Sequence, residues 1–278
     1  MSDISLTAGI RSNLLSLQKT SSLLARTQER LGTGKKVNSP IDNPTNFFTA
    51  ESLNNRASDL TARLDGITKG INTVKAADAG IKSIKGLISQ AKGIANDARA
   101  LSTDTADTQA VADRSALAVR FNTIRTQIDE LSADSGYDGV NLLANDDLTV
   151  EFGEKIGSST LDLNGFTATA TGLGVAAAAN DFASNTDVDA AIADLQDAEA
   201  TLRKESKTLS ANLGVLTSRQ DFTKSLASVL TSGASDLVNA DLNEESANLL
   251  ALNTQQSLGV NSLSLASQAS QSVLRLLQ

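Results

Sequence analysis

Apolar residues recur along most of this chain at alternating steps of three and four. That is the rhythm of a helix burying a narrow seam against a partner rather than a broad globular face. The first run is Ile10, Leu14, Leu17, Leu24 and Leu31, with Ser21 and Gln28 filling the remaining seam places, and Gly32-Thr33-Gly34 then breaks it. After a short loop, Asn43 ahead of Pro44 reads as an N-cap followed by proline at the first helical position, where a missing N–H does no harm. The seam predicted from there passes through Leu53, Ala57, Leu60, Leu64, Ile67, Ile71, Val74, Asp78, Ile81 and Ile88. Gly66, Gly70, Gly80, Gly86 and Gly93 interrupt this long helix, each costing about 1 kcal/mol relative to Ala, so packing rather than propensity must hold it. A third seam, Leu117, Phe121, Ile124, Ile128 and Leu131, ends near Ala133.

Beyond a dense turn signal, Asp134-Ser135-Gly136-Tyr137-Asp138-Gly139, the period shortens to two. Leu148, Val150 and Phe152 alternate, as do Leu161 and Leu163, and Thr167–Thr171 is strand-like; glycines punctuate all three, which predicts a small β-hairpin region. The low-complexity stretch Gly174–Asn180 carries no assignment. Helix resumes after Ser184-Asn185-Thr186-Asp187, with Ile192, Leu195, Leu202, Leu209, Leu213, Leu216, Ala227 and Leu230 on one seam. A last helix starts near Asp241, with Glu244 at capping-box spacing, and runs along Leu249, Leu252, Gln256, Gly259, Leu263, Ala266, Ser270, Val273 and Leu277. After Glu245 its only charged residue is Arg275; the outer face of Ser, Asn and Gln suits burial on several sides. The first and last seams match in type and rough length. The expected fold is therefore mainly α: a long coiled-coil-like helical rod with a small β-hairpin region and the terminal helices paired antiparallel.

Composition narrows the function. Aromatics make up only 3% of the 278 residues and Trp is absent, which fits seams of Leu, Ile, Val and Ala better than a compact globular core. Cysteine is absent, which excludes disulfides and thiolate chemistry. The absence of histidine removes the commonest general base and zinc ligand. A net charge of −8, with no basic run longer than Lys35-Lys36, argues against nucleic acid. No apolar window suggests a membrane span, and Met1–Leu6 lacks the pattern of a cleaved secretory signal. Gly32-Thr33-Gly34-Lys35 is no phosphate loop, because Glu29 stands where its first glycine should be and Lys36 where a Ser or Thr should follow. Asp134–Gly139 falls short of a calcium loop at Gly136 and Asn145. Glu244-Glu245 and Asp146-Asp147 read as helix-start or solvated carboxylates. No catalytic, cofactor-binding or metal-ligating residue is expected, and the chain reads as a non-enzymatic structural protein.

Particular stretches then resemble a known family. Leu31-Gly32-Thr33-Gly34-Lys35-Lys36-Val37-Asn38-Ser39-Pro40-Ile41-Asp42-Asn43-Pro44 is similar to the loop joining the first two helices of bacterial flagellins, and Thr45–Leu60 continues in the style of short alphaproteobacterial members. Ala240–Ala247 and Leu263–Leu274 resemble the closing helix of that family, and Phe121–Leu143 its helix-to-hairpin junction. The resemblance implies an extracellular filament subunit that polymerises with its own kind. It also implies an export chaperone, unfolded passage through the type III export apparatus, and flagellar cap and hook-associated proteins as partners. It assigns 1–33 and 240–278 to an inner filament-core domain, 34–144 and 186–239 to a helical rod, and 145–185 to a hairpin or variable region. Ile10, Leu14, Leu17, Leu24, Leu31, Leu249, Leu252, Leu263, Ala266, Val273 and Leu277 become the expected polymerisation seam. Ile88–Ile94 lacks the Arg and Glu residues of the segment that the vertebrate flagellin receptor reads, so receptor activation is not expected. A hook–filament junction protein shares the same terminal helices and is the alternative. A coiled-coil adaptor, the reading from another class, would carry flanking charges that the last helix lacks.

Overall fold

The computed structural model describes residues 8–276 except 155 and 156. Its elements are α1 (Ala8–Thr33), α2 (Pro44–Ala100), α3 (Thr108–Asp134), β1 (Leu148–Glu151), β2 (Thr160–Leu163), α4 (Asn185–Val238) and α5 (Leu242–Leu276). The caps expected from sequence set the boundaries. Asn43 Oδ1 accepts the Asn46 N–H at 3.0 Å ahead of Pro44. Ser184 and Asp187 cap reciprocally at the start of α4, the Ser184 hydroxyl donating to Asp187 Oδ2 at 2.7 Å and its oxygen accepting the Asp187 N–H at 3.2 Å. Asp241 Oδ1 accepts the Asn243 N–H at 2.9 Å and opens α5. The chain divides into two compact units, one of Met1–Asn55 with Val229–Gln278 and the other of Arg56–Ser228.

In the Arg56–Ser228 unit, α2 and α4 run antiparallel. Gln220 reaches Thr68, Ser206 reaches Asp78, and Arg99 pairs with Asp189, so rising numbers on α2 meet falling numbers on α4. The buried seam of α2 is Ile67, Val74, Ile81, Ile88 and Ala95, alternating with Ala77, Ile84, Ala91 and Ala98. Ala77, not the expected Asp78, occupies the inward place. The Asp78 carboxylate stays at the margin, where Ser206 and Lys82 hold it, because an unpaired charge would not survive the seam. α3 departs from expectation in the same way. Phe121 and Ile128 are buried, but their inward companions are Arg114, Ala118 and Ser132, while Leu117, Ile124 and Leu131 are half-buried.

Residues 148–163 form the expected hairpin, with Leu148 opposite Leu163 and Val150 opposite Leu161. Val150 sits over Gly70, where an added Cβ would come within 2.6 Å of Val150 Cγ2. Thr167–Thr171 is not a strand. Its neighbourhood spends its amides elsewhere: Ala168 N–H goes to Leu143 O at 2.8 Å and Ala170 N–H to Asp129 Oδ1 at 2.7 Å. The unassigned stretch ends in a tight turn, Ala179–Phe182, whose Asn180, Asp181 and Phe182 all have positive φ (47°, 53° and 57°). Such geometry costs an L-residue roughly 1–2 kcal/mol each. Burial of the Phe182 ring edge-on against Phe121, with centroids 5.3 Å apart, offsets part of it.

The helical glycines divide by what surrounds them. At Gly86 and Gly93 an added Cβ meets nothing within 4 Å, whereas at Gly80 it would strike the Ser135 side chain and Leu143 Cδ1. Ala at Gly86 or Gly93 should therefore stabilise by about 1 kcal/mol each. Gly80→Ala should lose stability instead, since an overpacking cost of about 1–3 kcal/mol exceeds the same propensity gain. Urea midpoints of the three variants test the contrast, and a stabilised Gly80→Ala would refute the packing argument.

Candidate functional site

In the unit of Met1–Asn55 and Val229–Gln278, the first and last helices meet. Two backbone segments buckle together at the base of the terminal helices. Lys36 N–H donates to Val238 O at 2.7 Å and Ala240 N–H to Gly34 O at 2.9 Å. Gly34 holds φ +70°, a conformation that a side chain would strain, so the glycine that ends α1 also shapes the buckle. Lys36 Nζ adds a bond to Asp236 O at 3.1 Å. Just above, Arg30 and Glu245 form an ion pair at 2.8 Å, with the Glu245 side chain only 9% exposed. Further along, Leu17 lies in the notch left by Gly259, where an added Cβ would come within 2.7 Å of Leu17 Cδ2. Residue 30 meets 245 and residue 17 meets 259, so α1 and α5 pair antiparallel, as the matching seams implied.

The expected seam residues of α5 lie on one half-buried face: Leu249, Leu252, Leu263 and Ala266, with Gln256 and Gly259 among them. The side chain of Val273 and the whole of Leu277 lie outside the described residues. On α1, Ile10, Leu17, Leu24 and Leu31 are half-buried, but Leu14 is 40% exposed and Ser21 and Gln28 face out. The inward places between them belong to Thr20 and Thr27, 9% and 7% exposed, and to half-buried Asn13. Thr20 is compatible with burial because its hydroxyl donates to Ser16 O at 3.0 Å within the helix. A reading that ranks Leu above Thr therefore places every second seam position one residue late.

The opposite side of α5 is apolar too. Leu250, Leu258 and Leu265 are 71%, 60% and 67% exposed. At about 100° per residue they cluster within roughly 80° of one another, on the far side of the helix from the seam. From Ser246 to Leu274 the helix carries no charge. A helix with a partner on one face and a wet leucine stripe on the other is half-used.

The loop between α1 and α2 is pinned by one carboxylate. The Asp42 carboxylate accepts the N–H groups of Asn38 and Ser39 and the Ser39 hydroxyl, at 3.0 to 3.1 Å. These bonds, the Asn38 N–H foremost, hold its carboxyl below the ordinary carboxylate range. The turn is thus tightest at neutral pH and loosens as pH falls through that lowered value. Next to it, Ile41 is 93% exposed.

Three of the four carboxylates weighed as acid/base pairs have structural partners. Asp146 accepts the Asn141 N–H, Asp147 the Gly165 N–H, and Glu245 holds Arg30. Asp138, in the calcium-loop-like turn, pairs with Lys69 at 2.7 Å. Among the described residues no helix is long and apolar enough to cross a membrane.

The bacterial flagellin N-terminal helical region matches residues 4–147, and the bacterial flagellin C-terminal helical region matches residues 185–277. Flagellin FljM of Caulobacter vibrioides is 29% identical over 276 residues, covering 99% of this chain and 98% of that protein. A flagellin of Brucella melitensis is 26% identical over 274 residues, covering 95% and 94%. A Vibrio parahaemolyticus structure named for the flagellar hook-associated proteins aligns with a TM-score of 0.59 at 14% identity, covering 71% of this chain and all of that one. At that identity the likeness shows a shared fold alone.

Proposed function

Because the chain belongs to the bacterial flagellin family, a family of structural and non-enzymatic proteins, we propose that it polymerises into the flagellar filament through both faces of its terminal helices. The carrying observation is the half-used α5: its seam face lies on α1, while Leu250, Leu258 and Leu265 wait in water on the other. Covering three such leucines at each lattice contact is worth several kcal/mol per subunit, at about 1.5–3 kcal/mol for a fully buried side chain. An uncharged helix gives up no ionic hydration on entering a lattice of copies. In this reading 1–33 and 240–278 form the filament core, 34–144 and 186–239 the rod around it, and 145–185 its variable hairpin. Ile10, Leu17, Leu24, Leu31, Leu249, Leu252, Leu263 and Ala266 line the seam with Thr20 and Thr27, and Leu14, turned outward, is left for contact with other copies. Delivery to an extracellular filament would use an export chaperone and the type III apparatus, with cap and hook-associated proteins at its ends.

Seeded elongation tests this directly. The full chain added to short filament seeds should sediment as long filaments visible by negative stain, and a version lacking 1–33 and 240–278 should not. A full chain that stops at a discrete small oligomer would instead place it at the hook–filament junction.

A further inference from the structure

We propose that the Asn164-Gly165 pair is a site of spontaneous deamidation, and that the Asp147 carboxylate restrains it while the chain is folded. Neither part depends on how copies assemble.

Asparagine followed by glycine is the pair most prone to this reaction, because glycine leaves the following amide nitrogen uncovered. The chain contains it once. Glycine is not optional at the second place. A Cβ at residue 165 would collide with the backbone carbonyl oxygen of Asp146 and lie 2.8 Å from its nitrogen. The fold thus requires the residue that makes its neighbour vulnerable. Asn164 follows directly on β2, outside any helix or strand, and is exposed. Among the described residues no hydrogen bond holds its side-chain amide. Asn141 is the opposite case, its side chain clamped by bonds to Ser132 O, Ala133 O and the Leu143 N–H at 2.8 to 3.0 Å.

The reaction needs no oxidant, metal or enzyme. The Gly165 nitrogen gives up its proton to water or hydroxide and attacks Asn164 Cγ. A nitrogen–carbon bond forms, the bond to the side-chain nitrogen breaks, and ammonia leaves with a proton gained from solvent. Water then opens the cyclic imide at either carbonyl, leaving aspartate or an isoaspartyl linkage.

In the folded chain the attacking N–H is already engaged: it donates to Asp147 Oδ1 at 2.9 Å. A carboxylate is far too weak a base to take an amide proton. Its negative charge instead opposes the amide anion that the reaction must form beside it. The next amide is fixed as well, Phe166 N–H going to Leu142 O at 2.8 Å, which holds the segment in place behind the nitrogen. An isoaspartyl linkage would add a carbon to the backbone between residues 164 and 165 and pull both bonds out of register, next to the fully buried Leu163.

Ageing of the purified chain at mildly alkaline pH tests both parts, read by mass spectrometry of the tryptic peptide 156–203. That peptide also holds Asn180 and Asn185, which serve as internal references. In urea, Asn164 should convert well ahead of either reference, and Asn164→Gln should abolish the early product. Folded, the unmodified chain should convert more slowly. Asp147→Asn keeps an acceptor but drops the charge, and should speed the folded reaction roughly fivefold. Asp146→Asn removes a neighbouring charge that holds the Asn141 N–H instead, and should leave the rate near that of the unmodified chain. Rates are taken well below each variant's melting point, so that global unfolding does not contribute. Equal rates for the unmodified chain and Asp147→Asn, or equal acceleration by both variants, would overturn the restraint. Conversion in urea spread evenly over the three asparagines would overturn the site.

Discussion

Arg114→Ala should destabilise the protein by about 2–5 kcal/mol, because it takes a buried guanidinium donor away from several neutral acceptors at once. The side chain is 1% exposed and lies in the core of α3. Its guanidinium donates to Phe182 O at 2.6 Å, Leu101 O at 2.8 Å and Asn185 Oδ1 at 2.8 Å. One residue thus ties the end of α2, the left-handed turn and the start of α4 to α3. Truncation leaves those acceptors without their donor, at about 1–3 kcal/mol for each that water cannot reach. It also releases the strained turn at Asn180, Asp181 and Phe182 from the bond that helps hold it. Lysine should recover less than half, since an ammonium cannot reproduce a fork that serves three directions. Urea unfolding is the measurement: the midpoint should fall with the slope unchanged. A loss below about 1 kcal/mol would mean that the turn is held by Phe182 packing alone.

The second large effect concerns assembly rather than folding. Leu258→Asp should leave the monomer's circular dichroism and melting unaltered, because the side chain is 60% exposed there. Seeded elongation should nevertheless fall at least a hundredfold. A carboxylate forced into an uncharged lattice costs several kcal/mol in desolvation, and each 1.4 kcal/mol is tenfold. Leu250→Asp, on the same stripe, should behave alike. If either elongates within about threefold of the unmodified chain, the outer face of α5 is not an assembly surface.

Most of the helices were legible in the sequence because their signals agree across levels. Apolar rhythm, the Asn43-Pro44 start, the Ser184–Asp187 and Asp241 caps, and the Gly34 stop all mark the boundaries later found. What escaped were polar residues placed inside. Thr20, Thr27, Ser132 and Arg114 are buried with partners that come from their own helix or from distant segments, and periodicity ranks them below a nearby leucine. Ser132, for instance, donates to Leu143 O, eleven residues on in a loop whose path no local pattern reveals. The same reasoning explains the missing third strand. Alternation in Thr167–Thr171 reports a surface with one buried side, and Ala168 and Ala170 are indeed buried, yet their amides pair with a loop and a helix side chain. Along α5 the half-buried face that meets α1 was legible as far as Ala266. The Arg30–Glu245 pair and the buckle were not, since they join residues 200 or more positions apart.

That separation sets an order of events. Bringing Arg30 to Glu245 on an unfolded chain closes a loop of 215 residues, an entropic cost of about 5 kcal/mol from the logarithmic term alone. Once Arg56–Ser228 has folded as a compact unit, the loop left to close shrinks from the whole span to residues 31–55 and 229–244. Pairing of α1 with α5 is therefore favoured late, after the interior of the chain has committed to its fold. On the proposed function, the assembly surface therefore comes into being last, which would keep a partly folded chain from joining its neighbours too soon.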